Sequence, residues 1–402
     1  MTATTASRVE VSERSSERLL TPAFIRLALA DLAYFTAAGI AIYTLPLYVT
    51  GPVGSDHAGA GLAFGAFAVS ALVLRPYAGR LADVRGRRPL LVGGALLCAA
   101  AMFLTAFTQA LPLVVGLRLL LGVAEAAFFV ASFAALADLA PPSRMGEALS
   151  YNSLGLYVGF ALGPPLGEVL VTSLSYSAAW YGAAVLALVA AKIVHGLGET
   201  RTPRAAGEGS PAALIHRKAI APGIGFFTSI VAMGAFLAFA SLQAEAVGLE
   251  STSLPLFVYG SVVVIGRIVF ARVPDRLPSL PLGAGALGLI AVGLAVTAAW
   301  RTPAGMLVGT AVLALGVTFS TPAFFAAMFA TAGPSERGAA SATASAFLDL
   351  GLGGGPILIG FAAATIGVPS AFLVAATVAV AGSIWTLSLR RSSTVGGASA
   401  AV

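Results

Sequence analysis

The chain has 402 residues, of which 58% are hydrophobic and only 10% charged. Soluble domains carry about 25% charged residues, so this composition excludes a water-facing surface over most of the chain and calls for a bilayer to cover the apolar excess. The formal charge is +6, and the single cysteine, Cys98, excludes a disulfide framework and offers no zinc-ligand set.

Residues 1–20 are polar and mixed in charge (Arg8, Glu10, Glu13, Arg14, Glu17, Arg18), with no apolar core ahead of a cleavage site. They read as a disordered cytoplasmic tail, followed by an uncleaved first span. A spanning helix needs about 20 mostly apolar residues. Cut at charges, Pro/Gly turns and polar clusters, the chain yields twelve such segments: 24–49, 60–80, 89–108, 112–137, 148–170, 177–197, 219–241, 254–272, 281–300, 304–329, 338–362 and 368–390. The uncharged run 350–389 is too long for one span, and Gly367-Val368-Pro369-Ser370 supplies its turn. The expected fold is therefore an all-α integral membrane protein, its twelve helices forming two six-helix bundles. The bundles are expected over 21–197 and 219–390, joined by a cytoplasmic loop over 198–218 and followed by a cytoplasmic tail over 391–402.

Lys and Arg set the orientation. Of the 23 basic residues only Arg301 falls in a predicted outer loop, while Arg118 falls within a span. Arg75, Arg80, Arg85, Arg87, Arg88, Arg144, Arg267, Arg272, Arg276 and Arg337 all read as cytoplasmic segments or their flanks. Both termini are expected inside a plasma or inner membrane. The net charge follows from this topology, so no nucleic-acid partner is implied.

The halves repeat at a fixed offset of 192 residues. Arg75, Arg80 and Asp83 match Arg267, Arg272 and Asp275; Pro142, Ser143, Gly146 and Ala148 match Pro334, Ser335, Gly338 and Ala340; Gly159, Gly163 and Pro164 match Gly351, Gly355 and Pro356. Parallel repeats of this kind place a substrate site between two halves that rock against each other.

After span 2 comes Gly79-Arg80-Leu81-Ala82-Asp83-Val84-Arg85-Gly86-Arg87-Arg88. It resembles the helix 2–3 signature loop of the major facilitator superfamily, departing from it at Val84. The resemblance implies a conformational latch. Asp83 would face the start of helix 11 near Gly338, where amides and dipole favour an anion. Arg87 would pair with Asp138, while Gly79, Gly86, Arg88 and Asp275 complete the cluster. Topology charges alone are the simpler reading. In span 5, Gly159, Gly163-Pro164 and Gly167 resemble the helix-5 motif of the superfamily's proton-coupled drug exporters, with Ser150 where an earlier glycine is usual. That motif favours export, although close helix packing also uses such glycines.

Ionisable groups inside a membrane are costly and mark function. Asp31 lies in span 1, Arg118 and Glu125 seven residues apart in span 4, and Asp349 in span 11. Helices 1, 4, 7 and 10 line the cavity in the resembled family, which implies that Asp31, Arg118 and Glu125 share one wet chamber. Asp31 or Glu125 then carries a coupling proton, modulated by Arg118, unless the group is a static salt bridge. Asp349 is a second proton site or a helix anchor. Glu168 and Glu245 read as wet end positions, and the three histidines form no metal-ligand cluster. Aromatics of the cavity-lining spans (Tyr34, Phe35, Phe128, Phe227, Phe236, Phe324) favour a lipophilic or amphipathic solute over a sugar, which needs many polar partners. The expectation is a monomeric exporter without cofactors, driven by the proton gradient. An uptake or metabolite permease is the first alternative and a transport-inactive sensor or scaffold the second; no enzyme constellation is found.

Overall fold

The computed structural model describes residues 19–141, 144–201, 215–333 and 336–398. Twelve helices of 16 residues or more make up the fold, and no strand occurs among the described residues. They are α1 Pro22–Thr50, α2 His57–Arg85, α3 Arg87–Thr105, α4 Leu111–Leu139, α5 Met145–Ser173 and α6 Tyr176–His195 in the first half. The second half has α7 Ile220–Ala246, α8 Leu254–Val269, α9 Ser279–Ala299, α10 Pro303–Phe329, α11 Arg337–Ile366 and α12 Val368–Ala398. Eleven are long and apolar enough to cross a membrane; α8, with 16 residues, is shorter. The second copy of the Arg/Asp motif ends α8 early, in a separate helical turn at Val273–Arg276.

Chain reversals fall where the polar residues sit. Asp56, Ser175 and Thr302 each cap the amide three residues on, at the starts of α2, α6 and α10. Such side chains satisfy donors a helix start leaves unpaired. Gly367, at φ +80°, divides the uncharged run into α11 and α12. Outward faces carry Val73, Ile265, Leu358 and Ile384, each more than half exposed. Helices satisfy their own backbone groups, so these faces suit lipid.

The halves meet chiefly along two seams, where α2 packs on α11 and α5 on α8, with a smaller contact of α1 on α7. Small residues allow the approach. A Cβ added to Gly61 of α2 would stand 2.9 Å from the Cα of Gly360 on α11. Within the first half, α5 presses its glycine face on α1: a Cβ on Gly39 would lie 2.9 Å from the Cα of Gly163, and one on Gly167 would meet Tyr43. Helix α5 continues through Pro164 and Pro165.

Most of the expected tail over 1–20 and the central loop over 198–218 lies outside the described residues, but the start of that loop is described and has a defined place. Glu199 accepts hydrogen bonds from the amides of Arg87 (2.9 Å) and Arg88 (3.3 Å), at the start of α3. Arg201 donates to the carbonyls of Asp83 and Val84. The loop thus clasps the motif turn, where Gly86 adopts φ +99°.

Candidate functional site

A cavity opens between the halves. Its walls are mainly aromatic and aliphatic, and include Tyr34, Phe35, Phe129, Phe160, Met233 and Leu352. Four charged side chains line it: Arg75 on α2, Arg118 and Glu125 on α4, and Asp349 on α11.

Arg75 and Asp349 cross the α2–α11 seam with two hydrogen bonds, one of 2.9 Å between Nη2 and Oδ1 and a second from Nε to Oδ2. The Arg75 guanidinium also lies 4.5 Å from the centre of the Phe129 ring. Arg118 has no carboxylate partner among the described residues; its Nε donates to the Ala63 carbonyl at 3.2 Å, and its guanidinium faces Phe67. Glu125 lies within electrostatic reach of Arg75, Asp349 and Arg118 and shares the cavity wall with Tyr34. No ion pair to Glu125 occurs among the described residues, which makes it the one carboxylate on the wall without a fixed cation.

Asp31 is a correction. It does not line this cavity. It is fully buried between α1 and α4, where its carboxylate accepts the Ser132 hydroxyl at 2.8 and 2.9 Å. The face of α1 carrying Tyr34 and Phe35 turns to the cavity instead. Four aromatics are corrections too. Phe128 stacks flat on Tyr34 at 3.9 Å, Phe236 packs on Tyr259 and Phe372, and Phe324 packs on Phe226; all three are fully buried. Phe227 is half-buried and is not part of the cavity wall.

At the basic end, Arg87 organises the motif cluster. It reaches Asp138 at 3.0 Å, Asp83 at 3.1 Å and the Ala82 carbonyl at 2.7 Å. Arg88 sets its guanidinium against the His195 ring. Asp83 is 57% exposed, with an ion-pair partner on its own half. A side chain on Gly79 would meet only Val130, and one on Gly338 would meet nothing. Among the described residues Asp83 makes no hydrogen bond or ion pair to α11, where the sequence placed its partner. The Asp275 side chain lies outside the described residues.

The opposite end is bonded shut across the α5–α8 seam. Glu168, expected to be a wet end position, accepts from the Ser251 and Ser253 hydroxyls (2.5 and 2.6 Å) and from the Thr252 amide (2.7 Å). Tyr43 adds a 2.8 Å hydrogen bond to Thr252. Sequence reasoning also missed Arg75 as a site residue, reading it as a topology charge. Its depth, ten residues before the end of α2, was the available signal.

Comparison with known proteins matches this architecture. The family model described as Major Facilitator Superfamily matches residues 27–332. An uncharacterized MFS-type transporter of Salmonella typhimurium is 26% identical over 89% of this chain and 94% of its own length. One of Burkholderia mallei is 29% identical over 92% of each. Among solved structures, nucleoside transporter NupG superposes with a TM-score of 0.75 at 15% identity, covering 91% of this chain and 99% of its own. The human organic anion transporter MFSD10 does so at 0.70 and 17% identity, covering 91% of this chain and 100% of its own. With two pseudo-symmetric six-helix bundles around a charged central cavity, and a family match running from α1 to the end of α10, this multi-pass membrane chain belongs to the major facilitator superfamily of transporters.

Proposed function

We propose that the chain is a secondary active transporter that exports a small lipophilic or amphipathic molecule by alternating access, in exchange for protons. The observation that carries this reading is Glu125, a carboxylate without a fixed cation on an apolar wall between the halves. Such a group can alternate between a charged state, balanced by Arg118 or Arg75, and a protonated state that an apolar wall tolerates. The Arg75–Asp349 pair bridges the halves beside it, so a change of charge at Glu125 acts on the seam between them.

The wall supports a lipophilic or amphipathic substrate. Tyr34, Phe35, Phe64, Phe67, Phe129 and Phe160 offer ring faces, and no Asn or Gln lines the cavity. A hydrophilic metabolite would need such amides. The basic end faces the cytoplasm in this reading, with both termini there. Gly79, Asp83, Gly86, Arg87, Arg88 and Asp138 then latch that end when the opposite end opens, and Asp83→Asn weakens transport. The glycine-rich face of α5 against α1 supports export over uptake.

The experiment is accumulation of a lipophilic dye panel in cells expressing the protein, with and without a protonophore. Lower accumulation that the protonophore abolishes supports proton-driven export. Higher accumulation on expression would instead establish uptake.

A further inference from the structure

The 192-residue repeat has a chemical asymmetry at its centre. Arg75 of α2 and Arg267 of α8 are repeat mates, and each crosses a seam between the halves. Arg75 meets Asp349 of α11 in an ion pair. The residue at the matching place in the first half is Tyr157, and Arg267 meets it: Nη2 donates to the Tyr157 hydroxyl at 3.3 Å, with the guanidinium 4.4 Å from the ring centre. One seam carries arginine with a carboxylate; the other carries arginine with a phenol.

Two buried donors near Arg267 have no partner among the described residues: its own Nε and the Tyr259 hydroxyl. Tyr259 is only 1% exposed and lies in electrostatic range of both Arg267 and Tyr157. Tyr157 and Tyr259 both line the central cavity. Arg267 is half-buried and has no carboxylate partner among the described residues, and the unpaired phenol O–H of Tyr259 is costly to bury. An anionic ligand oxygen would satisfy both. It would take the place that Asp349 fills at the other seam, accepting from the Tyr157 and Tyr259 hydroxyls while Arg267 balances its charge.

We propose that Arg267, Tyr157 and Tyr259 form a receptor for an anionic headgroup, so that the transported amphipath carries a carboxylate on an aromatic or aliphatic body. This rests on the transport reading above and narrows its substrate class.

Binding to purified protein in phosphatidylcholine nanodiscs tests it, with pyrenebutyrate as the carboxylate probe and pyrenebutyric acid methyl ester as its matched neutral form. Wild type should bind the acid at least about tenfold more tightly than the ester, one ion-paired contact's worth. Arg267→Gln should collapse that ratio toward one, Arg267→Lys should keep part of it, and Tyr259→Phe should reduce it severalfold. Equal binding of acid and ester by monodisperse wild type, or an undiminished ratio in Arg267→Gln, overturns the proposal. Phosphatidylglycerol binding that Arg267→Gln removes, with no pyrenebutyrate binding, would assign the site to a lipid headgroup and overturn the solute proposal. Export of the ester and of cationic dyes from cells is read separately. If these are exported but the acid is not preferred in binding, only the headgroup inference fails; if nothing is exported, the transport reading fails and the binding ratio still decides the receptor.

Discussion

Arg75 and Asp349 face each other across 274 residues of sequence, and their double hydrogen bond ties α2 of one half to α11 of the other. The Asp349 side chain is 1% exposed and that of Arg75 12%. Removing one partner of a buried pair leaves the other charge uncompensated, at a cost of about 3–5 kcal/mol. Asp349→Asn and Arg75→Gln should each lower the melting temperature in detergent and abolish transport. The exchange Arg75→Asp with Asp349→Arg should restore part of both. Single variants that melt and transport like wild type would show that the pair holds nothing together.

The two acids of the first half should separate in function. Glu125 faces the cavity, whereas Asp31 is sealed behind it with Ser132. Glu125→Gln should lose proton-driven flux, read as dye transport against an imposed pH gradient, by at least about tenfold, as for removal of a required proton carrier. Asp31→Asn keeps a polar group that Ser132 can still bond, and should retain most of the flux. The reverse order of effects would move the proton site to Asp31.

The helices, the repeat and the motif loop were legible because each rests on local signals: apolar runs of bilayer length, charge placement, and glycines at fixed spacing. What the sequence hid were contacts set by helix rotation and by partners far along the chain. Every span is apolar around much of its circumference, so nothing local distinguishes Phe35, on the cavity wall, from Phe128, buried behind Tyr34. The same reason placed Asp31 in the chamber on helix number alone. Glu168 read as wet because its three hydroxyl and amide partners lie 83 to 85 residues away, in another half. Arg87 with Asp138 was reachable because the family motif itself carries that pairing.

Acid should loosen the motif turn through Glu199. Burial alone would raise its pKa, but the backbone amides of Arg87, Arg201, Arg88 and Thr200 donate to the carboxylate and hold it below its ordinary 4.5. A depressed folded value stabilises the clasp in full above the ordinary value, and the contribution is lost as pH falls through the folded one. Hydrogen exchange at the Arg87 and Arg88 amides should therefore be slow at neutral pH and quicken, beyond the intrinsic rate, below about pH 4.5. Glu199→Ala should abolish that protection at every pH, with a cost of about 1 kcal/mol or less, typical of a lost helix cap. Protection that persists in the variant would place the restraint elsewhere.

Glu168 should hold the end opposite the motif closed. Its carboxylate gathers the donors of Ser251, Thr252 and Ser253 at the start of α8, and Tyr43 joins from α1. Alternating access requires this contact to break, and its donors must then find water. Glu168→Gln keeps the size but replaces one acceptor oxygen with a donor group facing other donors, so the closed arrangement is selectively weakened. Spin labels at exposed Leu174 and Glu250, on either side of the seam, should report a longer mean separation in the variant than in wild type. A shift of 1.4 kcal/mol changes the ratio of open to closed about tenfold, enough to reveal a population that wild type hides. An unchanged distance distribution would mean that the packing of α5 on α8, through Ala161 and Gly260, closes this end without help from the carboxylate.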